Sequence, residues 1–390
     1  MTQASSFVYS PQYTLYDFGS THPFNPRRLL ATTSLAESMG LLTSRDIVEP
    51  KPASPDDLLL IHQPNYVDMV EQFQEEADVH NPSLLQAAQN YGLATEDNPV
   101  FPRMHQAASL AVGGTLTAAR MVASGKSLHA LNIAGGLHHA QPSSASGFCI
   151  YNDAAISIKW LSQHTSWRIA YLDIDAHHGD GVQQAFYDDP NVLTISCHET
   201  GQYLFPGTGS VEELGTGKGY GLSLNIPLRP YTEDDSNLEC LEAIVPRALE
   251  YFQPDLLISQ HGCDGHYWDP LTDLLVSTYF YSKISALIHN WAHEYTQGRW
   301  IAVGGGGYEL LRVVPRAWTL LWANMTDRPL DDDRTIPETW IDQWQPFSTL
   351  PLPRHFIDRA EDRPTTPRSF AIAEQNRQTI HHLRQLVPWL

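Results

Sequence analysis

The stretch Asp173-Ile-Asp175-Ala-His177-His178-Gly-Asp180 places five ionisable side chains within eight residues. It follows the apolar run Ile169-Ala-Tyr-Leu, which has strand character. In extended chain, alternate side chains share a face, so the spacing predicts that Asp173, Asp175 and His177 point the same way. Carboxylates packed this closely repel, and burying them is costly unless a cation or proton donors are present. Asp175 and His177 are good Zn²⁺ ligands, and a metal would relieve the repulsion. A polar loop after a buried strand is the plain alternative. It gives no reason for so many titratable groups to gather in one place.

Three further segments carry comparable chemistry. They are Gly135-Gly-Leu-His138-His139-Ala, His261-Gly-Cys-Asp264-Gly-His266 and Gly304-Gly-Gly-Gly-Tyr308. Each follows an apolar run of strand type: 129–134, 255–260 and 299–303, beside 168–174 for the central motif and a further strand at 191–197. Helical patterns fall near 27–40, 104–123, 152–164, 234–252, 273–296 and 309–324, with a short one near 371–386. Strands alternating with helices predict an α/β fold: a mostly parallel central sheet with helices on both faces. In such sheets ligands bind beyond the carboxyl ends of the strands, where all four motifs fall.

Asp175, His177 and Asp264 then make a three-ligand Zn²⁺ site with room for water and substrate, the pattern of a catalytic metal. The tandem His138-His139 supplies candidate bases. Asp173 and Asp180 are carboxylates free to hydrogen-bond those histidines. Tyr308, delivered by four glycines, could donate a hydrogen bond to a developing oxyanion. No Lys-Ser/Thr follows the glycines to complete a nucleotide loop.

Acidic residues outnumber basic ones 44 to 24, a formal net charge of −20, which excludes nucleic-acid binding through a basic surface and suits a cationic substrate. No window approaches the roughly 18 apolar residues of a membrane span. No secretory signal is visible at Met1-Thr-Gln-Ala-Ser-Ser-Phe, and Cys149, Cys197, Cys240 and Cys263 lack C-x-x-C spacing. A cytoplasmic protein with reduced thiols is expected. Residues 1–325 read as one catalytic domain. Residues 326–390, rich in Asp, Arg, Pro and Thr, read as a C-terminal extension packed on it.

The motifs G-G-L-H-H-A (135–140), A-S-G-F-C (145–149), Y-L-D-I-D-A-H-H-G-D-G-V (171–182), F-P-G-T-G (205–209) and G-G-G-G-Y (304–308) resemble the histone deacetylase family of the arginase/deacetylase fold. The resemblance runs through residues 15–325. Within the family, Gln260-His-Gly-Cys-Asp264-Gly-His-Tyr-Trp-Asp-Pro-Leu271 is most similar to the bacterial acetoin-utilisation-type deacetylases. The resemblance implies zinc on Asp175, His177 and Asp264, with Fe²⁺ as the alternative ion. It implies His139 as general base, His138 as its electrostatic partner, and Asp180 and Asp173 as their respective carboxylates. Tyr308 would polarise the acetyl carbonyl. Phe148 and Phe205 would flank an acyl-lysine tunnel, with Gly147 and Leu271 beside it and Asp97 at its rim. A K⁺ would sit on the backbone of Asp173, Asp175 and His177 with Ser196 and Cys197, and Arg28 would lie below the site. The implied substrate is an acetylated protein lysine or an acetylated small amine. Leu137 and Glu309 depart from the residues commonest in the family beside the histidine pair and the tyrosine, which bears on substrate preference.

Three rival readings differ in metal count, substrate or turnover. An arginase-like ureohydrolase needs two metals and a second carboxylate where His266 stands. An acetylpolyamine amidohydrolase would share the fold and mechanism. A non-catalytic acyl-lysine binder would have no use for the histidine pair and Tyr308.

Overall fold

The computed structural model describes residues 3–390. Eight strands, β1 (Gln3–Val8), β2 (Ile47–Val48), β3 (Ser127–Asn132), β4 (Ile169–Asp173), β5 (Val192–Glu199), β6 (Ser223–Leu228), β7 (Leu256–Gln260) and β8 (Trp300–Val303), form one sheet in the order β2-β1-β3-β8-β7-β4-β5-β6. Every pairing is parallel. Strands buried on both faces need apolar side chains throughout, and β4, β7 and β8 are buried at every position. Alternation divides them between two cores. Ala170, Leu172 and Leu257 join the helices 27–38, 234–252, 278–295 and 314–325. Ile169, Tyr171 and Ile258 join the helices 104–123 and 153–164 on the opposite face.

Three strands escape the sequence pattern. β1 and β2 lie in a proline-rich region without regular period, and β6 carries Pro227, which an edge strand tolerates because it lacks a neighbour on one side. The extended alternation assumed through His177 is also corrected. β4 ends at Asp173, and the chain then bends, with Asp175 N–H donating to Asp173 Oδ1 (3.1 Å) and His177 N–H to Asp175 Oδ1 (3.0 Å). Side-chain acceptors two residues back turn the backbone, so the ligands converge by a turn rather than by strand pleating.

Beyond Met325 the chain stays in contact with the sheet's helices. Trp340 Nε1 donates to the carbonyl of Ala31 at 3.1 Å, and the helix Ser369–Leu386 lies against β6 and the helix Asp234–Phe252. Asp358 accepts from Arg316 Nη1 (2.7 Å), His266 Nε2 (2.8 Å) and Thr278 Oγ1 (2.8 Å), with Arg316 buried. Burial alone would raise the Asp358 carboxyl. The His266 hydrogen bond and the Arg316 charge prevail and hold it well below the carboxylate range. Arg316→Met is therefore expected to cost about 3–5 kcal/mol in urea unfolding, because it strands a buried charge. A folded-state pKa below the unfolded one stabilises at pH above ~4 and is lost as pH falls, so Asp358→Asn should flatten the acid limb of the stability curve.

Candidate active site

The loops after β3, β4, β7 and β8 meet at one point. Asp175, His177 and Asp264 bring their ligating atoms within 4.8 Å of one another, and all three are buried. His177 Nδ1 lies 2.8 Å from Asp264 Oδ2 and 3.3 Å from Asp175 Oδ1. Like charges at this depth cannot both ionise freely. Burial, then the charge of Asp175, lifts Asp264 to about 6, while against burial the charges of His138 and His177 hold Asp175 low. His177 rises to about 10 because the two carboxylates outweigh its burial. A dry pocket of two carboxylates and one imidazole calls for a cation, and this donor set fits Zn²⁺ or Fe²⁺. The backbone makes room for it. Gly306 N–H donates to Asp175 Oδ2 at 2.6 Å, and a Cβ on Gly306 would stand 2.1 Å from Asp264 Oδ2. Arg28, buried beneath, donates from Nη1 to the carbonyls of Gly305 (2.9 Å) and Gly307 (3.1 Å) and so fixes the glycine loop.

Beside this cluster stand two carboxylate–histidine pairs. Asp173 Oδ2 is 2.7 Å from His138 Nδ1, and Asp180 Oδ1 is 2.7 Å from His139 Nδ1. The two Nε2 atoms face each other at 3.0 Å, so at most one proton lies between them. Burial lowers both histidines. Around His138 the charges of Asp173 and Asp175 reverse this and raise it to about 9; around His139 the neighbouring His138 adds to burial and lowers it to about 4. With no cation beside Asp175, the one proton between the two Nε2 atoms is therefore held on His138, and His139 Nε2 accepts it. Tyr308, half-buried, has its backbone N–H bonded to Asp269 Oδ2 at 2.8 Å. Burial and the charges of Asp264 and Asp175 hold its phenol well above its ordinary value, which keeps it a donor.

The aromatic residues shape the approach. Phe205 meets His139 edge to face at 5.0 Å, and Phe148 meets Tyr308 likewise at 5.6 Å. Gly147 lies between, where a Cβ would come within 2.5 Å of the His139 ring and 2.8 Å of Phe205, at a φ of +51°. Asp97 is exposed, and its carbonyl meets His22 Nε2 (3.2 Å), whose ring packs on Phe148. Leu271 is half-buried, its N–H bonded to the same Asp269 that holds Tyr308. Ser196, inside β5, pairs in register with Asp173 at the end of β4, Asp175 and His177 follow in the turn beyond, and Cys197 Sγ turns to Asn237.

His178 turns away, to Thr208 and Gln183. His266 lies outside the metal cluster, bonded to Asp358, so it supplies no ligand to a second metal there.

Several positioning residues carry no signal recognised in the sequence. Asp269 anchors Tyr308. Tyr171 Oη lies 2.8 Å from both Asp173 Oδ2 and Gln260 Oε1, and Gln141 Nε2 donates to Asp180 Oδ2 at 3.0 Å. Buried Asp153 accepts from Gly136 and Leu137 N–H and so sets the histidine loop. Tyr16 Oη donates to the Phe148 carbonyl and accepts from Ile150 N–H, bracing the turn at Gly147. Asp269 and Tyr171 sit inside quoted motifs, and period-2 spacing puts Tyr171 on the face of Asp173, the one available hint.

A family model described as histone deacetylase domain matches residues 22–325. The chain is 49% identical over 378 residues to the acetoin utilization protein AcuC of Bacillus subtilis, covering 96% of this chain and 95% of that protein. It is 42% identical over 379 residues to AcuC of Staphylococcus aureus strain MRSA252, covering 97% and 96%. Among solved structures it is similar to an HDAC homolog from Aquifex aeolicus, with a TM-score of 0.84, 28% identity, and coverage of 98% of this chain and 100% of that one. An HDAC homolog complexed with SAHA gives a TM-score of 0.82 and 29% identity, with the same coverage.

Proposed function

The chain belongs to the histone deacetylase family, and from that premise we propose that it is a zinc-dependent amidohydrolase that removes acetyl groups from lysine side chains of proteins. The observation that carries this reading is the convergence of Asp175, His177 and Asp264 with the His139–Asp180 pair, against which Phe205 packs, and with Tyr308, against which Phe148 packs. Asp175, His177 and Asp264 would hold the ion, which when bound supplies a Lewis acid for the acyl carbonyl and acidifies a coordinated water.

The protein's own groups do the rest. The aromatic pair lines the aliphatic stem of the acetylated side chain and excludes bulk water. His139 Nε2 takes a proton from the attacking water, and Asp180 holds the ring so that Nδ1 carries the hydrogen. His138, backed by Asp173, is the electrostatic partner of His139, and the positive charge the pair gains stabilises the negative charge gathering on the substrate. Tyr308 Oη donates to the carbonyl oxygen as it becomes an oxyanion. The C–N bond then breaks, the proton held by the histidine pair passes to the leaving amine, and acetate and the free amine depart. Tyr308→Phe removes one donor and is expected to lower kcat by about 10²–10³. A near-wild-type kcat would take Tyr308 out of the mechanism.

A K⁺ on the backbone of Asp173, Asp175 and His177 with Ser196 and Cys197 belongs to the same reading, as a structural ion. A cytosolic setting is supported by four free, buried cysteines, and no described helix is long and apolar enough to cross a membrane. The direct test is acetate release from an acetyl-lysine peptide, abolished by a chelator and restored by Zn²⁺. Activity that survives complete metal removal would overturn the reading.

A further inference from the structure

Three histidines gather at the opposite end of the sheet from the candidate active site. His129 lies near the start of β3, paired with Trp300 at the start of β8, and His289 and His293 stand one turn apart on the helix Thr278–Tyr295. Among the described residues, only this trio and Asp175-His177-Asp264 bring three potential ligand atoms within 4.8 Å of one another. The i, i+4 spacing puts both helical imidazoles on one face, where they can share an ion.

The hydrogen bonding is what points to a ligand. His129 Nδ1 lies 2.9 Å from the carbonyl of Met325, which can only accept, so Nδ1 carries the hydrogen and Nε2 presents a lone pair. That Nε2 is buried and has no partner, in a residue only 3% exposed. A buried acceptor left unmet costs free energy. His289 Nε2 and His293 Nε2 are 3.1 Å apart. One N–H···N bond would satisfy that pair and still leave His129 Nε2 with nothing, whereas a cation uses all three lone pairs. Two nitrogens on a tetrahedral ion with bonds of about 2.0–2.1 Å stand about 3.3 Å apart, close to the separation observed. The surroundings match a metal site as well. Met325 orients His129, the Asp327 carboxylate lies 3.8 Å from His289 Nδ1, and Trp300 stacks on His289. His293 is exposed, giving an entry path and an open fourth position.

We propose that His129, His289 and His293 form a second metal site, separate from the catalytic one, for a divalent cation that prefers imidazole, such as Zn²⁺, and that the ion clamps β3 to the helix Thr278–Tyr295. Mg²⁺ and Ca²⁺, which favour oxygen, are excluded by the donor set.

Metal-stripped protein equilibrated with micromolar free Zn²⁺ and freed of excess should hold two ions per chain by elemental analysis. Asp264→Asn and His293→Ala should each hold one, and the double variant none. His293→Ala should keep wild-type deacetylation and lose the part of the Zn²⁺-dependent rise in Tm that Asp264→Asn retains. Co²⁺ added to Asp264→Asn should give the visible bands of a tetrahedral nitrogen site, and these should vanish with His293→Ala. One ion in the wild type and none in Asp264→Asn would overturn the site, as would a second ion indifferent to His293→Ala.

Discussion

His139→Ala is expected to lower kcat by about 10²–10⁴ while the protein keeps its full complement of metal. The expectation rests on the asymmetry of the histidine pair. His138 and His139 share one chain turn and each has its own carboxylate, at 2.7 Å in both cases. The charges of Asp173 and Asp175 bear on His138 and keep it protonated, whereas burial and the His138 charge keep His139 neutral, at about 4. A neutral imidazole with its Nδ1 hydrogen on Asp180 keeps Nε2 as the proton acceptor of the pair, the position from which it would act as base once His138 Nε2 no longer fills it. Removing it takes away the proton acceptor but none of the three proposed ligands. His138→Ala, which removes charge stabilisation rather than the base, should cost less. Steady-state kinetics with metal analysis on the same samples checks both statements. A His139→Ala variant with wild-type kcat, or one that has lost its metal, contradicts the assignment.

Asp264→Asn is expected to abolish metal binding at the active site and, with it, measurable turnover. Asparagine keeps the shape of the side chain and the acceptor for Ala176 N–H, which now bonds Asp264 Oδ1 at 2.9 Å. Folding should survive, with Tm without metal somewhat below that of metal-free wild type, because the amide replaces the carboxylate oxygen that meets His177 Nδ1 at 2.8 Å. What is lost is one of two negative charges facing His177, and with the amide oxygen on Ala176 N–H the position of Oδ2 is taken by an NH2 group, which cannot ligate a divalent cation. The measurement is metal content after gel filtration, beside acetate release from an acetyl-lysine peptide. A variant that holds the active-site ion and hydrolyses the peptide at a substantial rate would remove Asp264 from the ligand set.

How much of this was legible in the residues follows from the range of the interactions. β3, β4, β5, β7 and β8 lie in the middle of the sheet and are largely buried, so each carries an apolar run, interrupted by buried polar residues such as His129 and Ser196, that is visible in sequence. β1, β2 and β6 lie on its flanks, with Pro227 in β6 and irregular neighbours around β1, and they take their strand character from pairing. The metal-ligand candidates were legible because their residue types are rare in such density, although the geometric reason was partly mistaken. Strand alternation stops at Asp173, and two side-chain-to-backbone turns bring Asp175 and His177 round. The supporting residues were not legible. Asp269 reaches Tyr308 across 39 residues, Tyr16 reaches Phe148 across 132, and Asp358 reaches His266 across 92. No local pattern encodes a pairing whose partner is chosen by packing.

The substrate is the part of the account most directly open to measurement. The deciding quantity is kcat/KM of the zinc-loaded protein on an acetyl-lysine peptide and on N-acetylputrescine, with His139→Ala as the blank. A site that takes the acetyl-lysine stem between Phe148 and Phe205 and uses the rim near Asp97 to hold peptide backbone should favour the peptide by orders of magnitude. Preference for N-acetylputrescine would keep the chemistry and contradict the assigned substrate. No hydrolysis of either above the His139→Ala blank would contradict the account itself.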